Sequence, residues 1–188
     1  MKLSGSYQIN LEKQKVWEAL NNPEILKKSI PGCEEFVKKS ETEFTATATN
    51  KIGPFNATFT GDIELKDLDP PNSYKIIGSG NSPVGFANGE ASVTLEDFED
   101  GTNLKYSVEA NVGGKIAQVG SRLIDMTAKK MADIFFGKFV ELITTKITTE
   151  KVKKVNEGKI QSQKEPINKI FIVLPALIII GIILYYLN

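Results

Sequence analysis

Along residues 3–11, LSGSYQINL, apolar or small residues occupy every second position, with Leu3, Gly5, Tyr7, Ile9 and Leu11 on one side, the pattern of a half-buried strand. The period then lengthens. EKQKVWEAL brings Val16, Trp17 and Leu20 onto one helical face. Asn22 ahead of Pro23 and Glu24 reads as an N-cap with proline at the first helical position, which predicts a second short helix, PEILKKSI, ending before Pro31 and Gly32. Beyond that corner, period two returns. Phe44, Ala46, Ala48 and Ile52 share one phase of their run, Phe55, Ala57, Phe59, Gly61, Ile63 and Leu65 share one phase of the next, and Leu104, Tyr106, Val108, Ala110 and Val112 share one phase of a third. The opposite phases are mostly threonine, lysine, aspartate and serine, so the sheet has one dry and one wet face, as antiparallel sheets do. SET, KIGPF, DLDPPNS and EDGT supply the turns. In GSGNSPVGFANGEASVTLE, Phe86 and Val93 fall on opposite phases, and a bulge near Gly85 or Gly89 is expected to reconcile them.

From the stretch GGKIAQVGSRLIDMTAKKM to about Thr149 the spacing approaches 3.6. Ile116, Val119, Leu123, Met126 with Thr127, Met131, Ile134 with Phe135, Phe139, and Leu142 with Ile143 form the stripe, while Lys115, Lys129, Lys130, Lys138 and Lys146 mostly take other faces. Such a helix, of some 33 residues, spans roughly 50 Å at about 1.5 Å per residue. No second helix of comparable length is predicted, so the stripe must lie in the dry concavity of a bent sheet. The expected fold is α+β, a curved antiparallel sheet of about seven strands wrapped on a long C-terminal helix. Where facing residues are small, as at Ala46, Ala48, Ala57, Gly61, Gly78, Ala117, Gly120, Ala128 and Ala132, sheet and helix either pack closely or leave a chamber. For a chamber, the candidate ligand-binding residues are Phe44, Ala48, Phe59, Ile63, Tyr74, Phe86 and Tyr106 on the sheet and Leu123, Met126 and Thr127 on the helix. Methionine is the adaptable member of that wall.

The C-terminal run FIVLPALIIIGIILYYLN is of another kind. Residues 170–187 are all apolar or aromatic, and as a helix they would cover roughly 27 Å at about 1.5 Å per residue, close to the thickness of a bilayer's hydrocarbon core. Tyr185 and Tyr186 sit where an interfacial aromatic belt belongs, and Lys164 and Lys169 precede the run. The expectation is a single-pass tail anchor in the cell membrane, with the N-terminal domain cytoplasmic. Between them, residues 150–169 are polar, lysine-rich and interrupted by Gly158 and Pro166, which suits a tether whose first part can be helical. The expected organisation is therefore a domain over residues 1–149, a tether over 150–169 and a transmembrane helix over 170–187.

Composition narrows the chemistry. Among 188 residues, 23 basic and 23 acidic side chains balance, so no long-range field favours nucleic acid. There is no histidine, which removes the usual general base, the serine–histidine and cysteine–histidine pairs and the commonest metal ligand. The single cysteine, Cys33, excludes an intrachain disulfide and a cysteine-clustered metal site, and it suits a small buried position. MKLSGSYQIN lacks the apolar core of a secretory signal. Gly78 and Gly80 are followed by Pro83 where a dinucleotide fingerprint needs glycine, so that motif is rejected. Asp62, Glu64, Asp67, Glu90 and Glu109 fall chiefly on polar phases and read as a solvated face rather than a catalytic pair. Arg122, the one arginine, can clasp a ligand oxygen or a partner carboxylate with its planar fork, pair with Asp125, or face water.

Several phrases, in order and at matching separations, are similar to the CoxG family associated with carbon monoxide dehydrogenase: VWEALNNPEILKKSIPGCE, IGPFNATFTGDIEL, DLDPPNSYK, GFANGEASV and GGKIAQVGSRLIDMTAKKMADIFF. The resemblance covers about residues 1–140, and the order of elements resembles the helix-grip fold of the START and Bet v 1 (SRPBCC) superfamily. It implies a non-catalytic accessory role. A protein of this kind brings a molybdenum-containing CO dehydrogenase or related hydroxylase to the cytoplasmic membrane and handles a lipophilic quinone. No residue set here suits molybdopterin, haem or an iron–sulfur cluster, so no cofactor is expected. Two alternatives stay open: a tethered carrier of lipid or another hydrophobic small molecule, and a cyclase-type enzyme of the kind found on related folds.

Overall fold

The computed structural model describes residues 1–160 and the side chains of residues 1–145. Strand β1 (Lys2–Ile9) leads into helices α1 (Lys13–Leu20) and α2 (Pro23–Ser29). Six strands follow: β2 (Cys33–Lys38), β3 (Glu43–Ile52), β4 (Phe55–Asp69), β5 (Ser73–Ser82), β6 (Gly85–Phe98) and β7 (Gly101–Gly113). A 3₁₀ turn, Lys115–Val119, then precedes the long helix α3 (Ser121–Ile160). The seven strands form one sheet in the order β1-β7-β6-β5-β4-β3-β2, with every neighbouring pair antiparallel. Met1–Thr148 forms the compact unit that carries the sheet.

Local chemistry accounts for the corner between β1 and β2. Asn22 caps α2 by accepting from the backbone N–H groups of Glu24 and Ile25 at 3.0 and 3.2 Å, with Pro23 at the first helical position. Val16, Trp17, Ala19 and Leu20 of α1 are buried and join Phe44, Leu65, Tyr74, Val93, Leu95 and Leu104 of the sheet in one core. Phe136, Phe139 and Ile143 of α3 complete it. Hydrophobic burial of this kind, proportional to the apolar area removed from water, is what holds the sheet to the helices.

The sheet's curvature is written at its glycines. In register, Ala46 lies opposite Gly61, Gly61 opposite Gly80, Gly78 opposite Gly89, and Gly89 opposite Ala110, a band of small residues crossing five strands on the inner face. A Cβ on Gly61 would stand 1.8 Å from the Ser79 carbonyl oxygen, and one on Gly89 would stand 2.2 Å from that of Glu109. Neighbouring backbones approach there more closely than any side chain allows. A Cβ on Gly78, between them, would meet nothing within 4 Å.

Three sequence expectations change. The pairing of β6 runs without a register shift from Gly85 to Thr94 against β5 and from Phe86 to Phe98 against β7, so no bulge occurs near Gly85 or Gly89. Phe86 therefore points to the outer face, opposite to Val93, where its ring covers Gly113; a Cβ on Gly113 would come within 2.3 Å of that ring. The register shifts lie instead between Cys33 and Glu35 and between Lys66 and Asp69. Second, the long helix does not begin at Gly113. Gly114 and Gly120 adopt φ of 83° and 90°, which interrupts the stripe, leaving Ile116 and Val119 in the 3₁₀ turn and starting α3 at Ser121. Third, α3 extends past Thr149 to Ile160. The predicted anchor, residues 170–187, and the tether from residue 161 lie outside the described residues; among the described residues no helix is long and apolar enough to cross a membrane.

The two kinds of inner-face glycine separate in a stability measurement. Gly61→Ala forces strands apart and should cost about 2 kcal/mol or more, while Gly78→Ala stays within about 0.5 kcal/mol of the parent, both read from urea denaturation midpoints. Equal effects would mean that the sheet does not bend at Gly61.

Candidate ligand-binding site

Between the inner face of the sheet, the α1–α2 corner and α3 lies a cavity of about 480 Å³. That volume falls within the range of small-molecule sites. From the sheet it is lined by Phe44, Ile63, Leu65, Tyr74, Ile76, Ala91, Val93, Tyr106 and Val108, and from α3 by Ala128, Met131, Ala132, Phe135 and Phe136. Leu20, Leu26 and Ile30 close it from the corner. The room exists because small residues face one another: Ala91 on β6 and Ala128 and Ala132 on α3 leave unfilled the space that a bent sheet opens.

Aromatic rings frame the cavity. Phe136 stacks on Tyr7 at 4.2 Å and on Tyr106 at 5.2 Å between ring centroids, and Trp17 meets Tyr74 edge-on at 5.3 Å. The Tyr7 hydroxyl donates to Oδ1 of Asp133 at 2.7 Å, tying β1 to α3. Burial, reinforced by that carboxylate, holds the Tyr7 phenol well above its ordinary range, and burial alone does the same to Tyr74. Tyr106 is also pushed up, chiefly by burial and then by Asp133. The lining contains no lysine, arginine, aspartate or glutamate.

The candidate residues divide. Phe44, Ile63, Tyr74 and Tyr106 line the cavity. Ala48 and Phe59, opposite each other in register, are half-buried on the inner face of β3 and β4 but outside the lining. Phe86 is on the outer face, 39% exposed, for the register reason already given. Met126 is 61% exposed, because the break at Gly120 sets the helical phase so that this residue faces water. Leu123 is half-buried beside Gly53 at the tip of the β3–β4 hairpin, and the Thr127 hydroxyl donates to the Leu123 carbonyl at 2.8 Å within its own helix. Neither lines the cavity. Arg122 is exposed, and among the described residues it forms no ion pair, with Asp125 or any other carboxylate. The helical wall is instead one turn further along, at Ala128, Met131, Ala132, Phe135 and Phe136. Met131 and Phe135 belong to the predicted stripe and Ala128 and Ala132 to the predicted small residues, so the signal was present without its depth.

Two other features are distinct from the cavity, although the first shares Met1, Phe44 and Ile63 with it. A larger polar groove, about 940 Å³, is lined by outer-face side chains that include Lys39, Asp62, Glu64, Glu90 and Glu109. Ion pairs such as Lys2–Glu109 at 2.7 Å and Lys39–Asp62 at 3.3 Å lie along it. The Cys33 thiol donates to the Glu35 carbonyl at 3.3 Å and is pushed up by burial, which leaves it unreactive. Among the described residues no group of histidine, cysteine, aspartate or glutamate is placed to hold a metal ion.

The tyrosines yield a pH prediction. A phenol whose pKa is raised on folding contributes stability that is complete below its unfolded value, near 10, and is lost as pH rises through the folded value. Unfolding free energy should therefore be level from pH 7 to 9 and fall above about 10. Tyr74→Phe should remove up to about 1.4 kcal/mol per pH unit of that slope, measured by urea denaturation across the range. An unaltered slope would place Tyr74 in water.

Comparison with known proteins places this geometry in a family. No curated protein matches by sequence. A solved conserved protein from Geobacillus kaustophilus is 32% identical, with a TM-score of 0.74 over 77% of this chain and 96% of its own. At 11% identity, the Zhui aromatase/cyclase from Streptomyces sp. R1128 shares the fold alone, with a TM-score of 0.55 over 78% of this chain and 95% of its own. Ara h 8.0201 does so at 15% identity, with a TM-score of 0.56 over 77% and 98%. The model of the family described as the CoxG subunit of carbon monoxide dehydrogenase matches residues 5–144. With a seven-stranded sheet gripping one helix around an apolar cavity, and with most of its length matched, this chain belongs to the CoxG family.

Proposed function

We propose that this protein is a membrane-anchored, non-catalytic accessory protein that holds a lipophilic, quinone-like molecule and recruits a molybdenum hydroxylase of the CO dehydrogenase type to the cytoplasmic membrane. The observation that carries the reading is the cavity of about 480 Å³, walled by aliphatic and aromatic side chains in a member of the CoxG family. Desolvation favours an apolar guest there. Catalysis finds little support in the same lining: among the described residues it holds no carboxylate, lysine or cysteine side chain, its one amine, the Met1 N-terminus, donates to the Ala110 carbonyl, and its phenols Tyr74 and Tyr106 are pushed upward.

The anchor is supported by the uninterrupted apolar run at residues 170–187, and its orientation by the lysines before it. An anchored domain stays within nanometres of the bilayer. Encounter between a docked oxidoreductase and a membrane quinone then rises through effective concentration, without any new contact.

Extraction of the full chain from native membranes should co-purify an apolar ligand and a molybdenum hydroxylase, identified by mass spectrometry of one sample. Termination after Lys154 should move domain and enzyme to the soluble fraction while leaving ligand binding intact. A truncated chain that stays on membranes would refute the anchor, and a delipidated, folded chain without saturable quinone binding would refute the cavity's role.

A further inference from the structure

Two of the polar groups that border the cavity are tied to backbone carbonyls. The Asn50 amide donates to the Pro31 carbonyl at 2.9 Å, and the N-terminal ammonium of Met1 donates to the Ala110 carbonyl at 2.8 Å. The Tyr106 hydroxyl, on a half-buried residue, lies over Gly5 at the β1 side of the cavity. Tyr74 differs. Only 5% of it is exposed, its ring is held edge-on by Trp17, and its hydroxyl has no hydrogen-bond partner among the described residues. The oxygen is nonetheless not sealed off, since no buried side-chain nitrogen or oxygen among the described residues is both inaccessible and unpartnered. For a residue so buried, the accessible space is the cavity it lines. Burying a hydroxyl without a partner is costly, and a guest that supplies one recovers the loss.

We infer that Tyr74 is the specificity-determining residue of the cavity, donating its hydroxyl to a neutral oxygen, such as a ketone or quinone carbonyl, on an otherwise apolar guest. This inference rests on the ligand-binding reading above and adds a class boundary to it. A hydrocarbon leaves the hydroxyl unpaired. An ionised carboxylate must shed its water where no cationic side chain lines the cavity and the one bordering cation, the Met1 ammonium, is already bonded to the Ala110 carbonyl, so the same lining disfavours fatty-acid anions. A buried donor at one point of a largely apolar wall also favours one orientation, with the oxygen-bearing end of the guest at the Tyr74 end.

The test uses the full chain at one fixed detergent concentration and three probes of equal skeleton: 2-acetylnaphthalene, 2-ethylnaphthalene and 2-naphthoate. By calorimetry the parent should bind the ketone most tightly and the carboxylate most weakly. Tyr74→Phe removes only an unpartnered hydroxyl, so the fold should persist, and the ketone Kd should rise about fivefold to tenfold while the hydrocarbon Kd stays unchanged. The infrared carbonyl stretch of bound 2-acetylnaphthalene should be lowered in the parent and return toward its value in hydrocarbon solvent in Tyr74→Phe, a readout that a packing role would not move. Indifference of ketone binding and of the carbonyl stretch to the substitution, or tightest binding of 2-naphthoate, would overturn the inference and leave the cavity reading standing. Absence of binding by both neutral probes would overturn the cavity reading and the inference together.

Discussion

A strand can fold across its neighbour only where no Cβ stands between the backbones. In this sheet a line of small residues, Ala46, Gly61, Gly80, Gly78, Gly89 and Ala110, crosses β3 to β7, and that condition is met on it at Gly61 and Gly89, which leave no room for a side chain. The bend made there gives the sheet a concave face deep enough to receive α3. It also sets the sheet apart from the helix wherever both present small side chains, as Ala91, Ala128 and Ala132 do. The cavity is thus a consequence of curvature, and the curvature of a missing Cβ on two strands.

The separation of charge follows from the same geometry. Outward phases carry the lysines and carboxylates, paired across strands as in Lys75–Asp67 and Lys105–Glu96, each at 2.7 Å and each substantially exposed. Exposed pairs of this kind contribute little to stability and keep the outer face wet. Inward phases carry aliphatic side chains, rings and three phenols. Of these, Tyr7 serves the fold, by joining β1 to α3 through Asp133, whereas Tyr74 has no partner among the described residues.

How far the site could be read from the chain depended on which element carried each residue. Phe44, Ile63, Tyr74 and Tyr106 reach the cavity because strand alternation leaves only two choices of face and the apolar phase is unambiguous. Phe86 defeats that rule. It is an apolar residue on the wet phase, kept there by an unbroken register and used to cover Gly113. On the helix, the stripe was visible from Ile116 to Ile143, but Gly120 breaks it, and only the residues after that break inherit a common phase. Met126, three residues after Leu123, was placed on the wall but lies on the exposed side of α3, whereas Phe136, hidden beside Phe135 in the sequence, is the ring on which Tyr7 and Tyr106 stack.

By itself the sequence determined the number and kinds of elements, the faces of the strands, the capped corner at Asn22 and Pro23, the absence of histidine chemistry and the distinct apolar run at residues 170–187. All of these are local properties, set by period, turn residues and composition. Only the tertiary structure decided where along α3 the cavity lies, which glycines bend the sheet and which faces open space, and that Tyr74 is buried without a partner. Those depend on where a helix crosses a curved surface and on which backbones draw close, distances between residues far apart in the chain that no local pattern records.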